Sequence, residues 1–230
     1  MGSSAWAATM ILNDASDGES IKQGINITET GAAVVVGKTQ AGGGFEYRGF
    51  VSFEITNVIG TITAAQLRLK IQSYNNGATA LSLQVYDYTS GPPPTSILGG
   101  DSTGRFNDLG SGVLFGAASI NSTTNPADSL LTIDLNSAAL SAMNTGSGVW
   151  VVGSQRYFTV GLADPTISGP VPTTVRFMSG NGTGINQLAV TTAPEPSAGL
   201  LAGVALAGVA LRRFGRECRA ATHEPNKAGG

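Results

Sequence analysis

The chain has 230 residues, of which 13 are Lys or Arg and 15 are Asp or Glu, a net charge of −2. No basic excess is present to neutralise a phosphate backbone, so nucleic acid is excluded as a partner. An apolar content of 41% exceeds what a disordered chain carries, and the single Cys and single His rule out a disulfide framework or a zinc cluster.

Residues 1–193 carry neither His nor Cys and have a net charge of −4; the remainder holds His223, Cys218 and a net charge of +2. A body without these two residues lacks the commonest general base and the thiolate nucleophile. The length suits one domain with short appendages.

At the N-terminus, Ala5-Trp6-Ala7 matches the small-residue ending of an export cleavage site. Residues 1–8 therefore read as the remnant of a signal peptide or a disordered start, with the apolar segment expected upstream of Met1. Residues 9–192 read as one β domain. Thr9–Asn13 is the first expected strand. Asn13, Asp14, Asp17 and Glu19 then cluster in an expected Gly-containing turn. Such hard oxygen ligands make Asp14, Asp17 and Glu19 candidates for a structural calcium site, although Asp and Asn also bond locally to turn backbone. Ala33–Val36 is a β-branched run that Gly37 ends.

Strict alternation follows. Val51, Phe53 and Ile55 alternate with Ser52 and Glu54. Leu67, Leu69 and Ile71 alternate with Arg68, Lys70 and Gln72. The same pattern recurs over Leu81–Val85, Leu131–Leu135, Tyr157–Leu162, Val175–Phe177 and Leu188–Val190. Successive strand side chains point to opposite faces, so each run has one core face and one wet face. That is the pattern of antiparallel sheets.

Gly100-Asp101-Ser102-Thr103-Gly104 fits the G-x-S-x-G nucleophile elbow, but no His in the body can take the serine proton, so it reads as a Gly/Ser loop. Ser137–Asn144 alone looks helical. The expectation is nine to eleven strands in an all-β, jelly-roll-like antiparallel β-sandwich. Arg48 is expected to pair with an acid across strands. Sugars stack on exposed rings, and Tyr86, Tyr88 and Trp150 are the leading ligand-binding candidates, with Tyr47 and Tyr157 behind them. A packed ring with a wet polar tip is the alternative role for each.

After the last strand, Pro194-Glu195-Pro196 stops the sheet, because proline cannot continue a ladder. Ala198–Leu211 is then made only of Ala, Gly, Val and Leu. Its larger members Leu200, Leu201, Val204, Leu206, Val209 and Leu211 would face lipid. In hydrocarbon the backbone must satisfy itself, so this segment reads as a short transmembrane helix. It would span about 21 Å against a core of roughly 30 Å. Arg212, Arg213 and Arg216 follow as a positive anchor and place that end inside. Residues 193–219 form this anchor segment, and 220–230 a disordered polar tail.

The order of Pro194-Glu195-Pro196, apolar run and arginine cluster resembles the PEP-CTERM sorting signal of Gram-negative bacteria. The resemblance implies recognition by an exosortase, a membrane-embedded cysteine peptidase. It also implies an inner-membrane precursor and a final place at the cell surface or in the extracellular matrix.

A second resemblance lies in the body. Tyr47-Arg48-Gly49-Phe50-Val51-Ser52-Phe53-Glu54, followed by Ile62-Thr63-Ala64-Ala65-Gln66-Leu67-Arg68-Leu69-Lys70, is similar to the DNRLRE-type and related carbohydrate-binding jelly rolls of secreted proteins. Together these imply a non-enzymatic exported protein, or alternatively a module binding exopolysaccharide. A carboxylate-dependent glycan-active enzyme, which needs only two acids, is a third reading.

Overall fold

Alternation of the kind seen in Leu67–Ile71 forces one side of a strand into a core. In a computed structural model the described residues form twelve strands and two short helices. The structure describes residues 7–23, 26–30, 33–39, 44–75, 81–91, 102–166, 173–180 and 185–193.

In chain order the strands are β1 (Ala8–Gln23), β2 (Asn26–Thr30), β3 (Val34–Lys38), β4 (Glu46–Glu54), β5 (Ile62–Asn75) and β6 (Leu81–Asp87). Helix α1 (Ser102–Asp108), β7 (Leu114–Ile120), β8 (Leu130–Asp134) and α2 (Ser137–Thr145) follow. β9 (Val149–Val152), β10 (Gln155–Ala163), β11 (Thr173–Phe177) and β12 (Gln187–Thr192) complete the body.

Among the described residues every strand pairing is antiparallel. Two long strands are shared between layers. β1 pairs with β12 through its first residues, from Ala8 opposite Thr192 to Asn13 opposite Gln187. A register shift between Asp14 and Ser16 then re-aims it onto β4, from Asp17 opposite Val51 to Lys22 opposite Glu46. Bulges of this kind let a strand leave one sheet for the other at a sandwich corner. β5 pairs with β12 and β8 along its first part and with β11 along its last. β3 links β11 to β4, so β1, β12, β5, β11, β3 and β4 close a circuit. From β4 the sheet continues through β10 to β6 and β7, with β9 as a hairpin on β10.

The expected inward faces meet in one core. Val51 and Phe53, Leu67, Leu69 and Ile71, Leu83 and Val85, Phe158, Val160 and Leu162, and Leu188 and Val190 are all buried together. Each such side chain contributes roughly 1.5–3 kcal/mol. Helix α2 closes one side with Ala139, Ala142 and Met143. Its start is fixed by Asn136, whose Oδ1 accepts from the Ala138 and Ala139 amides at 2.9 and 3.2 Å. Gly146 ends it in the left-handed conformation at φ 79°.

The other face of β4 carries a smaller cluster of Phe50, Tyr88 and Leu109. Here Ser52 and Thr159 share a buried hydroxyl hydrogen bond of 2.8 Å. The chain after α1 lies so close that a Cβ on Gly161 would come within 2.5 Å of the Leu109 carbonyl oxygen, so only glycine fits.

Three differences from expectation have physical causes. The acidic stretch after Asn13 is strand, because β1 bends at its bulge and continues. Ser102 opens α1 rather than lying in a loop, with Phe106 fully buried as the anchor; Gly100 and Asp101 lie outside the described residues. Arg48 pairs with Glu46 on its own strand, at 3.0 Å, and not with an acid on a neighbouring one. Its guanidinium also lies 4.3 Å from the Phe106 ring centre and donates to the Phe106 and Asn107 carbonyls. These contacts clasp α1 to the sheet.

No helix of the described residues is long and apolar enough to cross a membrane. The anchor residues Leu200, Leu201, Val204, Leu206, Val209 and Leu211, the sorting residues Pro194, Glu195 and Pro196, and Arg212, Arg213 and Arg216 lie outside the described residues.

Candidate functional site

The three acids of the expected calcium site do not converge. Among the described residues no group of three His, Cys, Asp or Glu side chains could hold a metal ion. Asp14 and Asp17 are buried at the β1 bulge. Asp17 accepts from Ser179 Oγ at 2.7 Å, from the Gly180 amide at 2.9 Å and from Asn186 Nδ2 at 3.1 Å. Asn186 Nδ2 also donates to the Met178 carbonyl. Asp17 thus ties the chain leading into β12 to the corner where β1 changes sheets. That is a structural role for a buried carboxylate, filled by protein donors.

Glu19 goes elsewhere. It stands on β1 opposite Gly49 of β4, and Ile21 stands opposite Tyr47. Gly49 has no side chain because a Cβ there would meet Val34 Cγ1 at 2.7 Å. Glu19 lines a cleft of about 360 Å³, at the lower end of the range for small-molecule sites. Glu19, Ile21 and Tyr47 form one wall. Val35, Thr39, Ser73, Tyr74, Asn75, Thr174 and Arg176 complete it. Arg176 comes from β11, where it faces Val35 of β3 and Ser73 of β5.

The electrostatics are unusual. Glu19 is 7% exposed, and its Oε2 accepts no hydrogen bond. Burial pushes its pKa up from 4.5 to about 7, with the Arg176 charge pulling the other way. Glu19 and Arg176 nevertheless form no direct ion pair. Tyr47 is raised by burial first, lowered by a hydrogen bond with Thr39, and raised again by Glu19. Burial also raises Tyr74, whose hydroxyl donates to the Asn125 carbonyl and so fixes its ring. A carboxyl half-ionised near neutrality beside an unbonded guanidinium can accept a hydrogen bond or a cation and exchange a proton in doing so.

A second hollow, of about 470 Å³, lies over β12, β5 and β8, but its polar groups already serve one another. Gln66 donates to Asp134 at 2.8 Å and Arg68 to Gln66 at 3.3 Å.

Of the aromatic candidates, Tyr86, Trp150 and Tyr157 share one face. Tyr86 lies opposite Gly161 and Trp150 opposite Tyr157 on β10, and positions four apart on a strand point the same way. Tyr88 is 2% exposed, enclosed with Phe50 and Leu109, and has no ring face for a sugar. Trp150 Nε1 donates to the Tyr88 carbonyl at 3.3 Å. Tyr86 donates to Gln84, and Tyr157 to Gln155 at 2.8 Å. Tyr86 and Trp150 stay half-buried.

Sequence reasoning found Glu19, for another role, and Tyr47. It missed Arg176, which alternation between Val175 and Phe177 marked only as a wet-face residue. It also missed Tyr74 and Asn75, which close the cleft from β5. No protein-family model matches the chain, and no curated protein is similar to it in sequence.

Proposed function

We propose that the chain is a non-enzymatic exported protein of the cell surface or extracellular matrix, sorted by an exosortase. The observation that carries this reading is the tail: Pro194-Glu195-Pro196, the apolar Ala198–Leu211, then Arg212, Arg213 and Arg216. A run apolar on every side has no stripe to offer a domain surface and suits lipid instead. On this reading residues 198–211 form a short helix in the inner membrane, and the sandwich, jelly-roll-like in connectivity, is delivered outside.

Expression in a Gram-negative host with an exosortase, behind an export signal, tests it. The wild-type chain is expected to lose its tail and reach the surface or matrix. Replacing Pro194, Glu195 and Pro196 by Ala is expected to hold it, unprocessed, in the inner membrane. Identical fractionation of both chains would overturn the reading.

A second reading, a module for exopolysaccharide, is supported by Tyr86 and Trp150 standing half-buried on one face. Loss of glycan-array binding in Trp150→Ala, with an unchanged melting curve, would favour it.

A further inference from the structure

Opposite charges that share a cleft attract one another, the more strongly where one of them is buried, as Glu19 is while Arg176 stands exposed. Glu19 and Arg176 share the cleft and stop short of an ion pair. They are mounted on different strands, β1 and β11, each pinned by ladders on both sides. One carboxylate oxygen is left buried without a donor, a costly state that a ligand donor would relieve. Among the described residues the Arg176 guanidinium makes no hydrogen bond, and its planar fork suits a carboxylate. Ile21 and Val35 add apolar lining to the same cleft.

We infer that this cleft binds a small zwitterion of the α-amino-acid class, its ammonium group on Glu19, its carboxylate on Arg176 and its side chain against Ile21 and Val35. The inference is independent of how the chain is sorted. An ammonium on Glu19 favours the ionised carboxyl, so binding near neutrality expels a proton. The other ionisable groups lining the cleft are Arg176, Tyr47 and Tyr74. Arginine stays charged, and burial moves both tyrosines further above neutrality. The proton therefore comes from Glu19.

Titration calorimetry of the full chain in a mild non-ionic detergent tests this with L-leucine, its monofunctional analogues isovalerate and isoamylamine, and glucose. Leucine is expected to bind at least about tenfold more tightly than either analogue, since each lacks one charge-assisted contact. Its heat is expected to differ between buffers of different ionisation enthalpy. Its Kd is expected to weaken about tenfold per pH unit below the Glu19 midpoint. Glu19→Gln and Arg176→Leu should each weaken leucine about tenfold or more, and Glu19→Gln should remove the buffer dependence. If either variant fails to fold, the analogue series and proton release of the wild-type chain decide alone. No heat with leucine, equal binding of leucine and an analogue, glucose binding in its place, or a buffer-independent heat would each overturn the inference.

Discussion

Glu19 makes the protein's stability depend on pH in a particular direction. The folded protein holds a proton that the unfolded chain releases between pH 4.5 and about 7. The stability contributed by that proton is whole below the lower value. It declines as pH rises through the upper one. The loss is on the order of 1–2 kcal/mol once the water reaching the cleft is allowed for. In a domain of this size that moves Tm by about 2–4 °C per kcal/mol. Thermal melts between about pH 5 and 8 should therefore fall for the wild-type chain and stay flatter for Glu19→Gln, whose amide carries no charge. Parallel slopes would show that the carboxyl titrates at its ordinary value in the fold.

Among the elements, α2 was legible from Ser137–Asn144 alone, and its cap shows why it begins where it does. Asn136 serves two elements: Oδ1 caps the helix, and Nδ2 donates to the Leu114 carbonyl of β7 at 2.7 Å. Asn136→Ala should cost about 1–2 kcal/mol. Asn136→Asp, which keeps the cap and loses the Nδ2 donor, should fall between the two in a denaturant melt. Equal loss in both variants would put the stabilisation in the bond to β7 rather than in the cap. Strands with one buried face were legible for the same kind of reason, since alternation reports burial directly. β9 was not, because Val149-Trp150-Val151-Val152 is an unbroken apolar run, and at the hairpin edge Val151 and Val152 remain exposed. β7 was hidden by Gly116, Ala117 and Ala118, which weaken any periodic signal. The second half of β1 was hidden by its acids, whose role in the bulge corner depends on Ser179, Gly180 and Asn186 from far along the chain. The cleft was illegible for that last reason too. Residues 19 and 176 share it only because β3 bridges β11 to β4, and nothing local in either segment announces the meeting.

Across the whole molecule the ladders join distant parts of the chain. The first strand of the body pairs with the last, and β12 lies between β1 and β5. Non-local pairing of this kind makes folding slow, on the scale of milliseconds to seconds. β12 is the last strand among the described residues and pairs only with strands far off in sequence, so its contacts are expected to form after the rate-limiting step. Leu188 is fully buried there. Leu188→Ala should cost about 2–5 kcal/mol and should appear mostly as faster unfolding, with the refolding limb little changed. A refolding limb slowed by the full amount would place β12 in the nucleus instead.

The two shared strands also give the body a polarity. Ala8 and Thr192 face each other, and Thr192 in turn faces Ile62. From that corner β1 runs to Glu19 and β5 to Asn75, so both end at the cleft. At strand rise these paths measure at most roughly 37 and 44 Å along the chain. A ligand gripped by Glu19 and Arg176 would therefore meet β1 and β5 many residues along from the Ala8 and Ile62 corner, and substitutions at that corner should leave its affinity unchanged.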